Sequence, residues 1–200
     1  MISKEYKAIF IHIPKNAGTS ICNFFQEKQI SICIQPKLHA DINDIKNGFP
    51  QSYKNYRKFA VVRNPYDRMV SWYFYLRENA KLQSDFDPDL IFPCDFNEWL
   101  KNPNKYWLPH GRLKICKKTN QEYSFSFLDC QHTWLDDTVK VLKYENLNEE
   151  LNSFFGEEIN LPIMNKTNHK HYLEYYNKES LDVVYNKYKE DFEKYNYKKL

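Results

Sequence analysis

Residues 14–20 read Pro-Lys-Asn-Ala-Gly-Thr-Ser and follow a short apolar run, KAIFIHI, at residues 7–13. A buried strand, a tight loop with a lysine and a glycine, and Thr-Ser at a helix start form a layout suited to cradling a phosphate. Loop and first-turn N–H groups converge on one point there, and the helix dipole adds roughly half a positive charge. Gly18 would let the backbone approach the anion closely, and the hydroxyls of Thr19 and Ser20 would donate to its oxygens. The nucleoside-triphosphatase loop, GxxxxGK[ST], places its lysine directly after the second glycine, beside a hydroxyl that binds Mg²⁺. Here Lys15 comes three residues before Gly18 and no glycine opens the loop. An ordinary ATPase or kinase loop is therefore not expected.

A second constellation lies in FAVVRNPYDRMVSWYF, residues 59–74, where Arg63 ends an apolar run and Ser71 follows eight residues later. A guanidinium offers a two-pronged fork to a phosphate, and a nearby hydroxyl completes the contact. Taken singly, Arg63 also reads as an ion-pair residue and Ser71 as an ordinary helical serine. Both motifs occur in order, each at a strand-to-helix junction, and that combination makes the pattern specific. Arg68, one turn further on, reads as a solvated or structural side chain.

Ile13-Pro-Lys-Asn-Ala-Gly-Thr-Ser20, preceded by His12, resembles the 5′-phosphosulfate loop of the sulfotransferase family. The likeness is closest to the carbohydrate branch, which includes heparan-sulfate 2-O- and chondroitin 4-O-sulfotransferases and their bacterial relatives. The Arg63–Ser71 segment is similar to the family's 3′-phosphate segment. The resemblance implies an α/β fold of the P-loop NTPase-like sulfotransferase type, a central and mainly parallel sheet flanked by helices. It implies 3′-phosphoadenosine 5′-phosphosulfate (PAPS) as donor, 3′,5′-ADP as product, no metal, and a hydroxyl-bearing acceptor, a carbohydrate in this branch. Lys15, Asn16, Ala17, Gly18, Thr19 and Ser20 would hold the 5′-phosphosulfate, with Lys15 stabilising the leaving phosphate. Arg63 and Ser71 would hold the 3′-phosphate, and Lys166, Thr167 and Lys170, in Asn165–Lys170, would add nucleotide contacts.

Transfer to a hydroxyl needs a base, and histidine, with an unperturbed pKa near ~6.5, suits the task. Of the histidines at 12, 39, 110, 132, 169 and 171, His39 resembles the catalytic histidine found after the second strand in this branch. His12 is expected to pack or to orient Lys15, His110 is the second candidate base, and His132 belongs to a structural segment, Gln131–Trp134. The glycine-rich RKGxxGDW-type stretch of the small-molecule enzymes is missing, which points away from phenol and steroid acceptors.

The elements that must position these residues follow from periodicity. Residues 7–13, 30–34, 59–63 and 139–144 read as strands. Helices are expected from Gly18–Thr19, from Asn64-Pro65, and from a capping box at Asn146–Glu149, and a short polar helix or loop over 41–48 with Asp41 as N-cap. A long amphipathic helix carrying Leu181, Val184, Tyr185, Tyr188, Phe192 and Tyr195 would close the chain. Strands alternating with helices imply a mainly parallel sheet with ligands beyond its carboxyl ends. One domain over residues 1–200 is expected, with 81–130 as an acceptor-side insertion. There Trp99, Tyr106 and Trp107 read either as core aromatics or as rings that stack on sugars, and Lys105, Arg112, Lys114, Lys117 and Lys118 read either as a solvated basic loop or as a patch that attracts an anionic polysaccharide.

The chain has 200 residues, 28% of them charged, and a net charge of +3. That charge is too small to imply a nucleic-acid partner without a basic stripe. Five cysteines at 22, 33, 94, 116 and 130 show no metal spacing, and reduced thiols in a cytosol are expected. No apolar run reaches the ~18 residues of a membrane span. The expectation is a cytoplasmic enzyme, or a piece of a longer, anchored one. Two rivals stand beside it: a Mg²⁺-dependent kinase or NTPase with a degenerate loop, and a non-catalytic nucleotide-binding module.

Overall fold

The computed structural model describes residues 1–27, 39–82, 95–101, 114–115, 122–123, 128–161 and 169–200. In chain order its strands are β1 (Ile2–Ser3), β2 (Ala8–Ile11), β3 (Arg57–Val62), β4 (Lys114–Ile115), β5 (Glu122–Tyr123) and β6 (Lys140–Lys143). Its helices are α1 (Gly18–Glu27), α2 (Ile42–Gly48), α3 (Pro50–Asn55), α4 (Pro65–Leu82), α5 (Phe96–Lys101), α6 (Leu147–Phe155), α7 (Lys178–Lys187) and α8 (Lys189–Lys194). The chain forms two compact units. One comprises Met1–Asn64, Cys130–Lys166 and Glu190–Lys198; the other comprises Pro65–Asp129, Thr167–Lys189 and Lys199–Leu200.

The first unit holds a four-stranded sheet in the order β1-β2-β3-β6. β1 runs antiparallel to β2, whereas β2–β3 and β3–β6 are parallel pairs. All four residues of β2 and the last four of β3 are buried. That is why both read as unbroken apolar runs: a parallel strand covered on both faces has no solvent side to encode. Phe10, Phe59, Val61 and Leu142 of the sheet share a core with Ile21, Phe24 and Phe25 of α1 and Leu151 of α6. The spacing of the three α1 residues lays them along one helical stripe.

Local signals explain some boundaries and mislead at others. Before α2, the Asp41 carboxylate accepts from the Asp44 N–H at 2.9 Å and the Asp44 carboxylate accepts from the Asp41 N–H at 3.0 Å. This reciprocal box satisfies two donors at the helix start. The box expected at Asn146–Glu149 does not form. Asn146 ends a 3₁₀ turn, Tyr144–Asn146, with φ −124° and ψ 32°, and its side chain makes no capping bond. A capping side chain reaches the N2 or N3 amide from an extended backbone, which this turn denies it. The long C-terminal helix is likewise two helices, broken at Tyr188 where φ is −111° and ψ 21°. The strand expected at 30–34 lies outside the described residues.

A short 3₁₀ turn, Gln131–Trp134, also belongs to the first unit. Asp191 of α8, with none of its surface exposed, caps it. One carboxylate oxygen accepts from the Gln131 N–H at 2.7 Å, and the other accepts from the His132 N–H at 2.9 Å. His132 Nδ1 also lies 2.9 Å from that second oxygen, and His132 Nε2 lies 2.8 Å from Glu190. His132 is thus structural, as its surroundings in the sequence imply.

In the second unit α4 buries Met69, Val70, Tyr73 and Leu76, the face its periodicity predicts. Tyr73 packs edge-on to Phe96 of α5 at 5.5 Å and against Trp99 at 5.6 Å between ring centroids. Trp99 is fully buried. Of the two readings of Trp99, the structure bears out the core one. The Arg68 guanidinium is also buried and donates to the Asp129 carbonyl at 3.0 Å, a structural role. β4 and β5 form an antiparallel ribbon. Tyr106, Trp107, Lys105, Arg112, Lys117 and Lys118 lie outside the described residues.

Asp191→Ala leaves two backbone donors of the 3₁₀ turn, one buried and one half-buried, without their acceptor. A buried orphan costs roughly 1–3 kcal/mol and a half-buried one only the low end of that range, so urea denaturation of the variant should show a loss of about 2–4 kcal/mol.

Candidate functional site

Parallel pairing delivers three chain exits to the same end of the sheet. β2, β3 and β6 end at Ile11, Val62 and Lys143, with Ile11 paired to Ala60 and Val62 to Lys143. Beyond β2 comes the loop Pro14–Ala17, beyond β3 comes Arg63, and beyond β6 comes Tyr144. The Arg63 guanidinium donates to the Lys15 carbonyl at 3.1 Å and lies over the Tyr144 ring, 4.2 Å from its centroid. It is 7% exposed. Lys15 and Arg63 therefore share one location. Tyr144 was not anticipated, although a residue directly after a parallel strand is where such a contact is expected.

The loop turns by an unusual backbone route. Lys15 has φ 68° and Ala17 φ 60°, while Asn16 between them does not have positive φ. Residues with a Cβ visit this left-handed region at a cost of roughly 1–2 kcal/mol each. A left-handed residue followed by a helical one, as at Ala17 and Gly18, turns successive N–H groups toward one concave point, a nest for anions. Glycine does not supply the left-handed backbone: the positive φ values fall on its neighbours.

Asn16 holds the turn. It is 1% exposed, and its Nδ2 donates to the Val61 carbonyl at 2.8 Å and to Gln131 Oε1 at 2.7 Å. The Asn16 side chain thus faces the sheet and anchors the loop, so any ligand contact by Asn16 runs through its backbone. Thr19 is exposed and Ser20 buried, both in the first turn of α1.

Gly18 has a steric reason in addition to the one its place in the loop suggests. A Cβ built there would lie 1.8 Å from His12 Nε2, so the imidazole occupies the space a side chain would take. His12 also stacks on Phe10 at 5.7 Å and lies 4.4 Å from the His39 ring, centroid to centroid. Burial, reinforced by His39, the terminal amine and Lys15, pushes the His12 pKa down to about 3. The ring is neutral at any working pH.

His39 Nδ1 lies 3.2 Å from the His12 carbonyl. A carbonyl only accepts, so Nδ1 carries the hydrogen and Nε2 carries the lone pair. Burial lowers the His39 pKa, and the bond to the His12 carbonyl opposes the shift in part. A neutral imidazole with its tautomer set by a backbone carbonyl is what a general base requires.

Of the other expected residues, Ser71 lies buried on α4 in the second unit. Lys170, also in the second unit, is exposed and pairs with Glu174 at 3.4 Å. Lys166, Thr167 and His110 fall outside the described residues. Cys130, His132 and Asp191 bring potential metal-ligating atoms within 4.8 Å of one another, but the Asp191 carboxylate there is already the cap of the 3₁₀ turn.

A family model described as the sulfotransferase family matches residues 1–198. The chain belongs to the sulfotransferase family, a family of transferases that generally take the sulfuryl group from PAPS and pass it to a hydroxyl-bearing acceptor. Neither a curated protein nor a solved structure matches it. Among the described residues no helix is long and apolar enough to cross a membrane.

Gly18→Ala should cost about 1–3 kcal/mol, the usual range for overpacking, because the new methyl meets the His12 ring. Thermal unfolding of Gly18→Ala, His12→Ala and the double variant checks this. The double variant should lose less than the two single losses added together, since removing the ring opens the space.

Proposed function

We propose that the chain transfers a sulfuryl group from PAPS to a carbohydrate hydroxyl, without a metal, and that residues 1–200 act as one sulfotransferase domain. The single observation that carries the reading is the 3.1 Å contact between the Arg63 guanidinium and the Lys15 carbonyl. It puts the cation of the second motif beside the anion loop of the first, as a donor phosphorylated at both ends of one ribose requires. The carbohydrate acceptor rests on the likeness of His12–Ser20 and His39 to the carbohydrate branch.

In this reading the Pro14–Ala17 backbone, Gly18 and the hydroxyls of Thr19 and Ser20 receive the 5′-phosphosulfate. Arg63 receives the 3′-phosphate, and Ser71 is assigned to the same group by its spacing in the motif. Lys166, Thr167 and Lys170 are assigned further nucleotide contacts on the motif alone. The acceptor oxygen attacks sulfur in line, forming the new S–O bond as the bond to the bridging phosphate oxygen breaks. The acceptor proton passes to His39 Nε2, and the electron pair of the broken bond stays on the leaving 3′,5′-ADP. Lys15 and the loop N–H groups stabilise that charge, fixed donors aimed where negative charge grows.

Thermal shift with 3′,5′-ADP and with Mg-ATP tests the donor. The expected result is stabilisation by 3′,5′-ADP and little by Mg-ATP; the reverse would turn the assignment to an NTPase. Lys15→Ala should lower kcat by at least about 100-fold, the scale of losing one charge-stabilising donor. Arg63→Ala should act mainly on donor affinity.

The pH profile separates the base. A neutral His39 is needed, and burial has moved its pKa below the ordinary 6.5. The acid limb of kcat/KM should therefore fall below pH 6.5 and vanish in His39→Ala along with most of the rate. An acid limb retained in His39→Ala would exclude it as the base.

A further inference from the structure

Gln131 is fully buried, uncharged and absent from both motifs. Its carboxamide touches both of them. Oε1 accepts from Asn16 Nδ2 at 2.7 Å and from the Arg63 N–H at 2.9 Å, while Nε2 donates to the Arg63 carbonyl at 2.9 Å. One amide thus reads the backbone of Arg63 on both its polar atoms, as a neighbouring strand would, and with its remaining acceptor capacity holds the residue that anchors the anion loop. Its own N–H is fixed by Asp191 at 2.7 Å. Only a primary amide of this length offers an acceptor with two lone pairs and a donor side by side.

We infer that Gln131 is a positioning residue for donor binding, setting the anion loop and Arg63 in register with each other through its side-chain amide. The inference rests on the PAPS reading and extends it to a residue that touches neither phosphate. Without the amide, the loop and the Arg63 strand end lose their shared partner. The 5′ and 3′ phosphate sites then vary independently, and a ligand that needs both at once binds less well. Acceptor recognition does not pass through this bond.

The test is titration calorimetry of 3′,5′-ADP with wild type, Gln131→Met, Asn16→Ala and the double variant, together with steady-state KM values for donor and acceptor. Methionine keeps the length and removes both polar atoms. The expected result is at least a tenfold weaker Kd in each single variant at unchanged stoichiometry. The double variant should be no weaker than the worse single, because both break one link. The donor KM should rise while the acceptor KM stays within twofold. Residues that only support the fold would lower the binding stoichiometry and leave the Kd of the folded fraction alone; that result overturns the inference, as does strict additivity. If Gln131→Met gives no folded protein, Asn16→Ala carries the test by itself, since it leaves both Gln131 bonds to the Arg63 backbone in place. Wild type that fails to bind 3′,5′-ADP sinks the donor reading and this inference together. Wild type that binds, beside variants that bind equally well, sinks the inference alone.

Discussion

The parallel register of β2, β3 and β6 is the constraint on which everything else in the first unit depends. Antiparallel neighbours send successive chain exits to opposite ends of a sheet, whereas parallel neighbours send them all to one. Here that end collects the anion loop, the arginine and an aromatic ring from segments far apart in the chain. The guanidinium lies between a carbonyl and a ring face, two partners that attract it without neutralising it.

The two histidines show how burial divides labour between like groups. His12 is so enclosed that it is a shape more than an acid or base: it fills the hollow over Gly18, and its carbonyl orients its neighbour. His39 is less enclosed. The same desolvation lowers the pKa of both, and at His39 the bond to the His12 carbonyl opposes it in part.

What could be read from the sequence was what is decided within a turn or two of chain. The apolar runs of β2 and β3, the N-cap at Asp41 and the start of α4 at Pro65 all belong to that class. The box at Asn146 has the same lettering as a working one, yet the 3₁₀ turn before it sets the backbone wrongly. Apolar spacing continues through Tyr188 without revealing that the helix stops there. Gln131 was invisible for a different reason: its amide partners stand 68 and 115 positions away, and a lone glutamine carries no pattern that names them. Gly18 was singled out for its place in the loop, and its crowding by a ring six residues upstream is a second reason for a glycine there.

The left-handed turns at Lys15 and Ala17 bear on how tightly the loop can grip. A backbone that must flip into such a shape when its guest arrives loses conformational freedom at that moment, and affinity falls by that amount. Here the awkward geometry is already in place, maintained by an asparagine sealed beneath it. Binding would then carry little entropic penalty from the loop, and a looser, glycine-filled version of the same turn would be easier to fold but a poorer host.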